Sequence, residues 1–71
     1  MKLKEINKNK NYCIQDIDCF RWVSWWEINI DVFKQIKNIN IIKKDETYSD
    51  RPIYFISSED YNKVLNILNL K

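Results

Sequence analysis

The sequence predicts an α+β fold, a small two-layer sandwich in which two helices cover one face of an antiparallel sheet of four to five strands. Three observations lead there. Residues 23–28 read VSWWEI and residues 56–61 read ISSEDY, so both follow the order apolar, Ser, two residues, acid, apolar. Each is followed by apolar side chains at helical spacing and preceded by a β-prone run. The chain of 71 residues suits one domain, and a domain of that size hides only about 60% of the surface its unfolded chain exposes. A single α+β domain over residues 1–71 follows, with elements in the order ββ(β)αββα.

The first two strands are expected at residues 2–6 and 12–17, on either side of the polar tract 7–11. Residues 20–23 continue the second strand or form a short third one. Ser24 and Glu27 then make a capping box, with Val23 and Ile28 able to close over it as a hydrophobic staple. From Trp25, a period of ~100° per residue puts Trp25, Trp26, Ile28, Val32, Phe33, Ile36 and Ile39 on one face, with Asn29 the polar residue among them. The first helix is therefore expected over residues 25–38. Residues 39–43 and 52–56 form the next strand pair, and Ser57 caps a second helix over residues 58–70, with Tyr61, Val64, Leu65, Ile67 and Leu68 on one side. The two caps lie 33 residues apart. They reflect either a weak internal repeat or two independently good helix starts. With no glycine in the chain, asparagine and aspartate carry the turns.

Composition narrows the function classes. Hydrophobic content of 45% excludes a disordered chain, and 31% charged residues suit a solvated surface. Apolar runs are far shorter than the ~20 residues of a membrane span, and the lysine-rich start leads into no apolar signal segment, so the chain is expected in the cytoplasm. Asn, Ile and Lys supply 31 of the 71 residues and alanine is absent, the bias of an AT-rich gene such as those of low-GC bacteria, their phages and plasmids. The absence of histidine removes Ser-His and Cys-His nucleophile pairs and imidazole metal sites. The absence of glycine removes phosphate-cradling loops and dinucleotide fingerprints. No catalytic residue, cofactor or metal site is assigned, and the protein is read as not an enzyme.

The densest set of metal-ligand types, Cys13, Asp16, Asp18 and Cys19, is read as a polar turn beside reduced thiols. A tight turn at residues 16–18 would make the two cysteines cross-strand neighbours within reach of a disulfide; a continuous strand would hold them ~20 Å apart. The candidate binding face for a protein partner comprises Arg21, Trp22, Trp25, Tyr48 and Tyr54. In this reading Trp26 enters the core beside Phe33, Trp25 lies at the edge, and Trp22 faces outward because Val23 must face the helices. The expected function is that of a small protein-binding inhibitor or accessory factor of a phage or mobile element. Two alternatives stand beside it: a nucleic-acid-binding regulator using Lys8, Lys10, Lys43 and Lys44, and a homodimeric structural module. A net charge of +2 and two arginines make a weak footprint for nucleic acid.

Overall fold

The computed structural model describes residues 1–6, 11–47 and 51–68. Four strands, β1 (Cys13–Asp16), β2 (Trp22–Ser24), β3 (Lys43–Asp45) and β4 (Ile53–Ile56), form one sheet in the order β2-β1-β4-β3. Two helices, α1 (Ile30–Ile36) and α2 (Ser58–Leu68), pack on one side of it. This is the predicted α+β class with two helices and four strands. The sheet is mixed rather than wholly antiparallel: β1 pairs antiparallel with β2, and β3 with β4, but the two hairpins join through a parallel β1–β4 pair. Nothing local encodes that junction, because Cys13 meets Ile53 across the intervening helix.

Period-two alternation sorts the strands. Ile14, Val23, Tyr54 and Ile56 turn toward the helices and are buried, meeting Val32 and Ile36 from α1 and Tyr61 and Val64 from α2. Tyr12 and Tyr54 meet edge to face with ring centroids 6.0 Å apart. The buried hydrophobic residues are thus aliphatic side chains, tyrosines and Phe33, with none of the tryptophans among them.

The first helix departs from its expected span. Ser24 and Glu27 do form a capping box, with the Glu27 carboxylate accepting the Ser24 N–H, but they close only the three-residue 3-10 helix Trp25–Glu27. Ile28 then leaves helical geometry, and Asn29 caps α1, its side chain accepting the Val32 N–H at 2.9 Å. The polar residue that sat awkwardly on the apolar face is the true helix start. Val32, Phe33 and Ile36 keep the buried phase that the pattern assigns, whereas Trp25 and Trp26 belong to a separate turn and escape it.

Other differences have similar local causes. Residues 2–6 form the 3-10 helix Leu3–Glu5 instead of a strand, because Glu5 folds back onto the Lys2 N–H and Leu3 fills the core. The segment is tied to the stretch after α1 through Leu3 N–H to Ile39 C=O and Lys4 N–H to Lys37 C=O. That use of residues 37–41 delays β3 to Lys43. Ser57 caps α2 as expected, its hydroxyl accepting the Asp60 N–H at 3.1 Å. The repeat is not expressed in the topology. β2, leading into the first cap, is an edge strand antiparallel to β1, and β4, leading into the second, is a central strand parallel to β1. Cys13 pairs with Ser24 across the hairpin and Cys19 lies in its loop, so the two are not cross-strand neighbours and both are free thiols. Among the described residues no helix is long and apolar enough to cross a membrane.

Candidate functional site

The alternation that buries Ile14 and Tyr54 sends their neighbours to the opposite face, away from α1 and α2. Register aligns those side chains in two rows across the strands: Trp22, Gln15, Phe55, Lys43, and beside it Ser24, Cys13, Ile53, Asp45. Successive members are ~4.8 Å apart in the hydrogen-bonding direction. Lys43 holds its ammonium 5.4 Å from the centre of the Phe55 ring, a cation–π contact. Trp22 is 54% exposed and meets Phe20, 86% exposed, edge to face at 6.0 Å.

The three tryptophans converge beside this face. Trp25 and Trp26 sit edge to face with centroids 6.1 Å apart, and with Trp22, Cys13, Ser24 and Arg51 they line a groove of about 240 Å³. Trp26 is 70% exposed and Trp25 38%. The expectation that Trp26 enters the core against Phe33 is therefore corrected: the break at Ile28 parts the two, leaving Phe33 buried on α1 and Trp26 in solvent. At ~150–250 Å² per aromatic side chain, the exposed parts of Phe20, Trp22, Trp25 and Trp26 amount to on the order of 500 Å². That is at the upper end of the ~300–600 Å² typical of a monomer's largest apolar patch.

Arg21 does not join this surface. Its backbone pairs with Asp16 across the hairpin, so its side chain falls on the helix side. There the guanidinium bonds the Asp16 carboxylate at 2.7 Å and lies 4.9 Å from the Tyr61 ring centre. Asp16 is 1% exposed and accepts two further bonds, from the Ser58 hydroxyl at 2.6 Å and the Asp18 N–H at 2.9 Å. The Ser58 bond, acting against desolvation and helped by Arg21 and the Asp18 N–H, holds the carboxyl down at about 2. The cluster fastens the β1–β2 loop to the start of α2. The Cys13, Asp16, Asp18 and Cys19 set is thereby divided, with Asp16 committed to structure and Cys13 on the open face.

Tyr54 is also removed from the candidate face, since its place in β4 points it into the core. Tyr48, Lys8 and Lys10 lie outside the described residues. Lys43 and Lys44 diverge as neighbours on a strand must: Lys43 joins the open face, and Lys44 turns to the Tyr54 side and pairs with Glu46, which raises its pKa. They do not form one phosphate-binding stripe. A second groove of about 510 Å³ runs between α1 and α2, but its two charges, Asp60 and Lys63, lie within ion-pair distance of each other at 3.7 Å.

Trp22 and Trp25 are thus where the sequence pointed, and Phe20, Trp26, Phe55 and Arg51 join them. Alternation from Trp22 back to Phe20, and from buried Tyr54 on to Phe55, could have found the two phenylalanines. Arg51 has no such signal. It reaches the groove because the Pro52 carbonyl accepts the Cys13 N–H at 3.1 Å, a contact set by the parallel junction. No protein-family model matches the chain, and no curated protein and no solved structure matches it.

Proposed function

We propose that this protein is a non-enzymatic binding module that docks another protein on its open, aromatic sheet face and acts as an inhibitor or accessory factor. The observation that carries this reading is the convergence of three exposed tryptophans and Phe20 on one side of the sheet. Tryptophan and arginine are the side chains most enriched among interface hot spots, and aromatic rings give large contact area for little lost side-chain entropy. A patch on the order of 500 Å² would fill more than half of the ~800 Å² that a standard interface takes from each partner. A second reading, single-stranded nucleic acid stacked on the rings, is favoured by Lys43 over Phe55. It is weakened by Asp45 on the same face and by the departure of Lys44 from it.

The deciding experiment is affinity capture from nuclease-treated extract with the wild-type protein and with the Trp22→Ala/Trp26→Ala variant. A partner retained by the first and lost from the second, with an unchanged circular dichroism spectrum, supports the proposal. Equal retention would sink it. Light scattering in parallel reports whether the bound partner is a second copy of the chain.

A further inference from the structure

Among the described residues, Arg51 is the one charged side chain lining the tryptophan groove, and it is exposed at the rim. Among the described residues it has no ion-pair partner. Glu27, the carboxylate next to Trp26 in sequence, is taken up by the Ser24 N–H and does not line the groove. A cation at the rim of a groove lined by three tryptophans is thus left, among the described residues, without a counter-charge, in contrast to Arg21, which has Asp16, and Lys44, which has Glu46.

The groove's size and chemistry limit what would complete it. At about 240 Å³ it falls below the ~300–1,000 Å³ of ordinary small-molecule sites and suits one or two side chains. A guanidinium is planar and weakly hydrated, so it tolerates aromatic walls better than an ammonium does, and it takes a carboxylate through two parallel hydrogen bonds. We propose that the groove receives an acidic side chain carried next to an aromatic or large apolar one on the partner protein. Arg51 pairs with the carboxylate, and Trp22, Trp25 and Trp26 cover its apolar neighbour. The proposal rests on the open face being a protein-docking surface, and it names what that surface selects. An amide in place of the carboxylate loses the charged hydrogen bonds while still displacing water from Arg51, so discrimination should be steep. A nucleic-acid strand fits less well, because its repeating phosphates need repeated cations. The two rows of the face instead set Asp45 beside Lys43.

The three indole N–H groups give three separate signals in a nitrogen-15 correlation spectrum of the full chain, which serve as the readout. The probes are the blocked tripeptides acetyl-Phe-Asp-Phe-amide and acetyl-Phe-Asn-Phe-amide and a short oligothymidylate. The expected result is that the aspartate peptide moves the indole signals at a concentration at least about tenfold lower than the asparagine peptide. In Arg51→Gln, with its backbone spectrum otherwise unchanged, that difference should vanish. The proposal is overturned by equal response to the two peptides, by response to neither, or by discrimination that survives in Arg51→Gln. Tighter binding of the oligothymidylate overturns it in favour of single-stranded nucleic acid. Failure of the face itself is seen separately, as partner capture that ignores the loss of Trp22 and Trp26.

Discussion

Individual side chains show how far alternation and periodicity carry. Val23 faces the helices, so its neighbour Trp22 must face away, and that deduction needs nothing beyond strand geometry. The same geometry excludes Arg21 from the side of Trp22, a consequence that the linear proximity of the two residues concealed. Trp26 was misplaced because helical phase is meaningful only within one uninterrupted helix. Phe33→Ala should accordingly cost roughly 3–5 kcal/mol, whereas Trp26→Ala should stay within ~1 kcal/mol of wild type in urea melts. Asp16 gives a second test. Its pKa is depressed in the folded state, so its contribution to stability is complete above the ordinary aspartate value and is lost as pH falls through about 2. Asp16→Asn should destabilise the protein by about 2–3 kcal/mol at neutral pH, since Arg21 would face an amide. The gap between variant and wild type should shrink in melts taken from pH 4 down to pH 2.

At the level of elements, both serine boxes were expected to begin α-helices, but only Ser57 does; Ser24 begins a three-residue 3-10 helix. Ser57 has eleven residues of good helical pattern behind it through Leu68, while Ser24 is followed after five by Asn29, a cap with its own claim on the backbone. Two caps so close leave room for a single 3-10 turn between them, and that turn lifts the indoles out of the core. Asn29→Ala and Ser57→Ala are each expected to lower stability by about 1 kcal/mol. Ser24→Ala, which touches only the short turn, should cost less than either in the same denaturant series. The shift of β3 from the expected 39–43 to Lys43–Asp45 was not readable, because it depends on the N-terminal segment bonding to residues 37 and 39. The class of each helix and of the strands at Cys13–Asp16 and Ile53–Ile56 was legible, and a separate strand at Trp22–Ser24 was one of two open readings; the segment at residues 2–6 was not legible, because the Glu5 carboxylate accepting the Lys2 N–H and the burial of Leu3 decide it.

Across the whole molecule, a strand region with one helix after it, occurring twice, was legible; the pairing of β1 with β2 was one of two readings left open, and the way the two hairpins join was not legible. Pattern reading sees contacts a few residues apart, whereas Cys13–Asp16 against Ile53–Ile56 is a pairing fixed only by how the two halves bury their apolar faces together. The open face inherits that gap: Trp22 and Trp25 come from the first half, Phe55 and Arg51 from the second. Neither half carries the surface alone. A chain ending at residue 47 should lack the dispersed amide spectrum of a folded domain, because β1 would have no β4 and Ile14 no helix α2 to cover it. A well-dispersed spectrum from that fragment would show that the first hairpin is self-sufficient.

The parallel junction also bears on how the protein is made. The ribosome releases β1 some forty residues before the strand it needs, since Cys13 is matched by Ile53. At ~5–20 residues per second, that is an interval of roughly 2–8 s in which the emerging β1–β2 hairpin exposes both an unfilled strand edge and an apolar underside. Such an edge is a template for pairing with other chains. The nascent protein therefore passes through a window in which chaperone capture or misassembly competes with completion, and the window closes only when β4 slides in beside β1.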